Sequence, residues 1–142
     1  MLCGDHDLGG VRVFVIDDRA DDRELWSIVL EGCGAEVAVA ESVADVLAAF
    51  DRVRPDVLVS DIELPDGDGY ALVRRLRAAG SRVPAIAVTA YARPQDVAAA
   101  AAAGFTMHLA KPVEPETLVA AVAQLTRPGP DAEPDRAERR AS

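Results

Sequence analysis

Short apolar runs alternate with stretches of helical periodicity along most of this chain. Five runs are almost continuously apolar and rich in β-branched residues, which is typical of strands buried on both faces of a parallel sheet. These runs are 11–16, 36–39, 57–59, 85–88 and 107–110. Between and after them, apolar residues recur every three or four positions, so five helices are predicted. The helices cover 22–31, 43–50, 70–79, 94–103 and 115–125. The pattern therefore predicts an α/β fold in which five β-α units form a parallel sheet with right-handed crossovers and helices on both faces.

The chain divides into three segments of different character. Residues 1–9 are polar and contain glycine, so we expect a flexible arm. Residues 10–126 carry the alternating pattern and form one domain. Residues 127–142 hold three prolines and no large apolar residue, which predicts a disordered, charged tail because such a segment cannot bury enough surface to fold.

Composition excludes several classes of protein. The 142 residues hold 15 basic and 24 acidic side chains, a formal net charge of −9. This balance argues against nucleic acid or an anionic membrane as a partner, since both require clustered Lys and Arg. No apolar run approaches a membrane span of ~20 residues, and we see no secretory signal at the start. The two cysteines, Cys3 and Cys33, suggest neither a disulfide framework nor a CxxC metal site. We expect a soluble, cytoplasmic protein.

Polar side chains follow four of the five apolar runs at the point where each predicted strand ends. They are Asp17, Asp18, Asp61, Thr89 and Lys111. Carboxyl ends of parallel strands meet at one edge of the sheet, where ligands of such folds bind. Three carboxylates there would repel unless a cation offset them, and Mg²⁺ prefers oxygen ligands. With a lysine and a threonine hydroxyl nearby, the set suits phosphoryl transfer onto a carboxylate.

Four motifs in order resemble the receiver domain of two-component response regulators over roughly residues 10–126. They are VFVIDD, VLVSDIELPDGDG, AVTAYA and HLAKP. Each motif alone is weak evidence, whereas four in order at strand ends are specific. The resemblance implies a flavodoxin-like strand order of 2-1-3-4-5. The chain resembles stand-alone, chemotaxis-regulator-like receivers, and its motif sequences are most similar to those of receivers in hybrid sensor kinases.

The resemblance also assigns roles to the residues at the strand ends. Asp61 would be the phosphoacceptor. Asp17, Asp18, Asp61 and the main-chain carbonyl of Glu63 would hold Mg²⁺. Thr89 and Lys111 would stabilise the phosphoryl group, and the bond from Lys111 to Pro112 would be cis.

The sequence departs from the family pattern at the position of the switch residue. His108 stands where relatives usually place Tyr or Phe, which puts the usual coupling through Thr89 in doubt. Glu63 and Tyr91 occupy the positions that tune the lifetime of the phosphoryl group in the family.

The resemblance implies a single-domain response regulator, not an enzyme acting on external substrates. A histidine kinase or a histidine phosphotransfer protein would phosphorylate Asp61. Output would be a downstream protein bound at the face formed by helix 4, strand 5 and helix 5, or onward phosphotransfer. Two alternatives remain open. A phosphorylation-independent receiver-fold binding module has only His108 in its favour. A Mg²⁺-dependent phosphohydrolase would need a second Asp two residues after its nucleophile, and Arg19 and Ala20 stand at those positions.

Overall fold

The computed structural model describes residues 3, 4, 6–90 and 93–126. Five parallel strands form the central sheet: β1 (Arg12–Ile16), β2 (Glu36–Ala40), β3 (Val57–Asp61), β6 (Ala85–Thr89) and β7 (Met107–Ala110). Their spatial order is β2-β1-β3-β6-β7, and every neighbouring pair is parallel. Counted within this sheet alone the order is 2-1-3-4-5, which confirms the predicted fold class.

Five helices connect and follow these strands. They are α1 (Ala20–Gly32), α2 (Val43–Val53), α3 (Gly69–Ala78), α4 (Pro94–Ala103) and α5 (Pro115–Thr126). The predicted bounds lie within three residues of these. Ser42 caps the start of α2, because its hydroxyl oxygen accepts from the Asp45 N–H at 3.1 Å. None of the five helices has both the length and the apolar character needed to cross a lipid bilayer.

The sheet separates two layers of buried side chains. Successive strand residues point to opposite faces, so Val13 and Val15 of β1 pack in one layer, whereas Phe14 and Ile16 pack in the other. The first layer includes buried residues of α1 and α5, and the second includes those of α2, α3 and α4. The central strands β3 and β6 are buried throughout, as continuous apolar runs predict.

The N-terminal segment differs from the prediction. Cys3 and Cys33 form a disulfide, with their Cα atoms 5.5 Å apart. Leu8 is only 1% exposed, and its N–H donates to the Cys33 carbonyl at 2.8 Å. The expectation that the cysteines form no disulfide is therefore wrong, and residues 6–9 are not a loose arm. One buried leucine and one covalent bond fix a segment whose composition is otherwise polar. The predicted tail, 127–142, lies outside the described residues.

A short hairpin that the sequence did not predict lies beside the end of β3. Its antiparallel strands are β4 (Glu63–Leu64) and β5 (Gly67–Asp68). The hairpin leads into α3 at Gly69, where a Cβ atom would lie 2.8 Å from the Asp61 carbonyl oxygen. Only glycine allows this close approach, so Gly69 helps to place Asp61 at the edge of the sheet.

Candidate functional site

Strand register brings the predicted acidic residues together. The β1 and β3 strands are neighbours, with Ile16 opposite Ser60. The residues that follow these two, Asp17 and Asp61, are therefore neighbouring aspartates. Carboxylate oxygens of Asp17, Asp18 and Asp61 all lie within 4.8 Å of one another. The first two of these predicted ligands thus meet Asp61 at the carboxyl edge of the sheet.

Lys111 binds this cluster from the end of β7. Its ammonium lies 2.9 Å from Asp61 Oδ2 and 3.2 Å from Asp17 Oδ2. It also lies 3.3 Å from Asp22 Oδ2. The Lys111 N–H donates to the Thr89 carbonyl at 2.8 Å, which ties the lysine backbone to β6. The Lys111–Pro112 peptide bond is cis, as predicted. Lys111 is the only lysine in the sequence.

Burial and charge perturb the titration of this cluster. Asp17 is fully buried, and burial raises its pKa to about 6. The hydrogen bond from the Arg19 N–H, at 2.8 Å, and the charge of Lys111 oppose that rise. For Lys111, burial lowers the pKa, but the hydrogen bonds and charges of Asp61 and Asp17 outweigh burial and raise it. Lys111 is therefore a permanent cation in the pocket at neutral pH.

The donor set fits a hard divalent cation. The cluster of Asp17, Asp18 and Asp61 holds three carboxylates, and Asp22 adds a fourth beside the single Lys111 ammonium, so the pocket keeps excess negative charge around oxygen donors. Asp18 is exposed, which leaves a side of the cluster open to water. The Glu63 N–H donates to Asp61 Oδ1 at 3.1 Å, so this residue does lie against the phosphoacceptor candidate. The role of its carbonyl as a ligand stays a prediction.

The remaining predicted residues lie around the cluster or outside the described chain. Thr89 ends β6, is 2% exposed and pairs with Ala110, the residue before Lys111. The Glu63 side chain is exposed at the start of the hairpin. Tyr91 lies outside the described residues, so its predicted role stays a prediction.

His108 lies within β7 opposite Ala87 and is half-buried. Its Nε2 atom is buried and has no hydrogen-bond partner among the described residues. The pKa of Asp96 on α4 is lowered mainly by the hydrogen bond from Arg93, with a smaller contribution from His108. Its strand neighbours Met107 and Leu109 pack in the layer of α1 and α5, so the imidazole lies on the opposite side of the sheet, which α4 covers.

The sequence prediction missed three residues of α1 that contact this site. Arg23 donates to the Asp17 carbonyl at 2.8 Å. Asp22 pairs with Lys111, whose ammonium also lies 5.7 Å from the ring centroid of Trp26. The four-residue spacing of Asp22 and Trp26 places both on one helix face, and that spacing was the available signal.

Comparisons with known proteins show the family to which the chain belongs. A family model, the response regulator receiver domain, matches residues 13–123. An uncharacterized 14.6 kDa protein from the sodA1 3′ region of Leptolyngbya boryana is 42% identical over 119 residues, 82% of this chain and 91% of that protein. The transcriptional regulatory protein TrcR of Mycobacterium tuberculosis is 36% identical over 117 residues, 82% of this chain and 46% of TrcR.

A solved structure supports the same family. The crystal structure of a putative response regulator from Chloroflexus aurantiacus matches with a TM-score of 0.77 at 33% identity, covering 82% of this chain and 97% of that one. The chain belongs to the response regulator receiver domain family. It spans most of the Leptolyngbya protein but less than half of TrcR.

Proposed function

We propose that this receiver is phosphorylated on Asp61 by a histidine kinase or a histidine phosphotransfer protein. One observation carries the proposal: the Lys111 ammonium lies 2.9 Å from the Asp61 carboxylate, beside the oxygens of Asp17 and Asp18. A buried carboxylate with a fixed cation next to it is placed to accept a phosphoryl group and to neutralise its charge.

The proposed reaction requires positioning more than strong bases. A carboxylate oxygen of Asp61 attacks phosphorus, the new P–O bond forms, and the P–N bond of a phosphohistidine breaks. The leaving imidazole nitrogen keeps the bonding electron pair and takes up a proton. The Glu63 N–H holds Oδ1 of Asp61, and Lys111 holds Oδ2, so both carboxylate oxygens are oriented before reaction.

Two groups of residues would then stabilise the acyl phosphate. The Lys111 ammonium and the Thr89 hydroxyl would donate to phosphoryl oxygens. Mg²⁺, held by Asp17, Asp18, Asp61 and the Glu63 carbonyl, would supply further positive charge at the transferring group. Asp17 and Asp18 would hold the cation next to Asp61.

Output would pass through a protein partner at the face formed by α4, β7 and α5, or through onward phosphotransfer. A depression of about 360 Å³ lies between β7 and α5. Met107, Leu109, Ala120 and Ala121 give it an apolar floor, and Glu116, Thr117 and Gln124 add polar groups. An apolar surface with a polar rim is typical of protein docking sites.

A second candidate is a receiver-fold module that binds its partner regardless of phosphorylation. His108 favours it, because an imidazole replaces the large aromatic side chain of the usual switch, and its buried Nε2 has no hydrogen-bond partner among the described residues. Equal partner binding by phosphorylated and unphosphorylated protein would support this second function.

Mass spectrometry of the intact protein tests the first proposal. The protein is incubated with Mg²⁺ and acetyl phosphate, together with Asp61→Asn and Asp51→Asn. Asp51 is an exposed carboxylate on α2 and serves as the matched control. We expect one added phosphoryl group on the parent and on Asp51→Asn, and none on Asp61→Asn. Labelling that persists in Asp61→Asn would show that the site is assigned wrongly.

A further inference from the structure

Lys111 contacts two residues of α1 that have no part in the phosphoryl chemistry proposed above. Asp22 Oδ2 lies 3.3 Å from its ammonium, and the Trp26 ring centroid lies 5.7 Å away. Asp22 and Trp26 are one helical turn apart, so both face the lysine from the same side. We call this pair the α1 seat.

The hydrogen bonds of Lys111 are saturated in this arrangement. An ammonium group has three N–H donors. Three carboxylates accept from it, at 2.9 Å for Asp61, 3.2 Å for Asp17 and 3.3 Å for Asp22. Two of these acceptors belong to the candidate metal site, and the third belongs to the α1 seat.

Two cations would therefore compete for the same oxygens. A divalent cation held by Asp17 and Asp61 repels the Lys111 ammonium and takes electron density from its acceptors. Lys111 must nevertheless stay close, because it is to pair with the phosphoryl group. Asp22 is not among the three carboxylates grouped at the candidate metal site, so its acceptor stays available to the lysine.

We propose that Asp22 and Trp26 are positioning residues that retain Lys111 beside Asp61 when a divalent cation occupies the aspartate cluster. The proposal rests on the proposed function, since it explains how lysine and cation share one pocket. Without the α1 seat, Lys111 has only Asp17 and Asp61 as hydrogen-bond acceptors. It then competes more strongly with the divalent cation for their oxygens, so the cation binds more weakly.

The seat is held in place by its surroundings. The Trp26 residue is 5% exposed, and a cation over a ring is attracted more strongly when water is excluded. The Asp22 side chain is 29% exposed and lies 3.9 Å from Arg19 Nε. The Lys111 side chain is 22% exposed, so a lysine displaced from the seat could reach solvent.

Calorimetric titration with Mg²⁺ alone tests the proposal on the full chain. The variants are Asp22→Asn and Asp21→Asn, which remove the same charge from the same first turn of α1. Asp21 is exposed and makes no ion pair among the described residues, so it reports the effect of net charge alone. We expect Asp22→Asn to weaken Mg²⁺ binding by about fivefold, the size expected when a partly exposed ion pair is lost. Asp21→Asn should weaken it by less than about twofold, and Asp22→Glu should restore most of the affinity.

Nuclear magnetic resonance follows the lysine directly. The chain has one lysine and one tryptophan, so lysine labelled with ¹³C at Cε gives a single side-chain signal, which we expect the Trp26 ring to shift upfield. We expect the shift to remain at Mg²⁺ saturation in the parent and in Asp21→Asn. In Asp22→Asn, Mg²⁺ should move the signal toward that of a solvated lysine.

Two results would overturn the proposal. One is equal Mg²⁺ affinity in Asp22→Asn and Asp21→Asn. The other is a parent Lys111 signal that Mg²⁺ moves to the solvated position. Neither measurement uses a phosphoryl donor, so the α1 seat can fail while Asp61 still becomes labelled. Thermal unfolding of each variant confirms that it is folded. The resonance of Lys111 in the parent protein is measured without any substitution, so that result does not depend on the folding of a variant.

Discussion

Removing the Cys3–Cys33 disulfide should destabilise the fold without changing the site. The bond joins residues 30 positions apart and ties the N-terminal segment to the end of α1. Cys3→Ser is the cleaner change, because Cys3 is half-buried. Cys33 is only 7% exposed, so a serine there would place a polar hydroxyl among apolar side chains.

The magnitude follows from the loop that the bond closes. On the chain-entropy account, a loop of this length contributes about 3.5 kcal/mol to the free energy of unfolding at 25 °C. For a domain of this size, ~1 kcal/mol corresponds to a change in melting temperature of roughly 4 °C. Cys3→Ser should therefore lower the melting temperature by about 10–15 °C.

Thermal unfolding followed by circular dichroism measures this effect. Reductant should lower the melting temperature of the parent to that of Cys3→Ser, and should leave Cys3→Ser unchanged. Mg²⁺ affinity should stay within about twofold, because the bond lies next to the beginning of β2, at the opposite edge of the sheet from the aspartates. An unchanged melting temperature in parent protein whose thiols are shown to be fully reduced would refute the reasoning.

Three further outcomes are expected. Asp66→Ala should lower stability at pH 7, because the Asp66 carboxylate accepts from the first two N–H groups of α2, at 2.8 and 3.0 Å. These hydrogen bonds lower the pKa of Asp66 in the folded protein, so its contribution to stability is present above about pH 3.8 and is lost as the pH falls through the folded value. The melting temperatures of parent and variant should therefore converge in acid. A difference that stays constant with pH would contradict this. Gly69→Ala should lower stability by about 1–3 kcal/mol in urea unfolding, since its Cβ would lie 2.8 Å from the Asp61 carbonyl oxygen, whereas Gly32→Ala, with open space, should not. His108→Phe should raise stability or leave it unchanged in the same assay, because the buried Nε2 that it removes has no hydrogen-bond partner in the part of the chain that the structure describes. A clear loss of stability would show that the imidazole is well satisfied.

The fold could be predicted because each element carries its own local signal. The runs that became β3 and β6 are apolar on both faces, and this pattern is specific to a sheet covered by helices. The α4 helix begins and ends at the predicted residues, with proline in its first turn and glycine just after its end. Strand order came from the family resemblance, since local patterns do not specify which strands are neighbours.

The structure brings together those predicted residues whose position follows from the strand ends alone. Asp17, Asp61 and Lys111 meet because parallel strands end at one edge. Asp22 and Trp26 were missed because their contact with Lys111 depends on how α1 packs across the sheet. The disulfide was missed for a similar reason: the spacing of Cys3 and Cys33 does not show that the N-terminal segment folds back over the core.

The most direct test of the account is to locate the phosphoryl group chemically. The protein is phosphorylated with acetyl phosphate and Mg²⁺, reduced with borohydride and digested for peptide sequencing by mass spectrometry. Borohydride converts an aspartyl phosphate to homoserine, so the account predicts homoserine at position 61 and unmodified aspartate at 17 and 18. Asp61→Asn should give no homoserine. Homoserine at another aspartate, or none under conditions that reduce a known phosphorylated receiver, would contradict the assignment of Asp61.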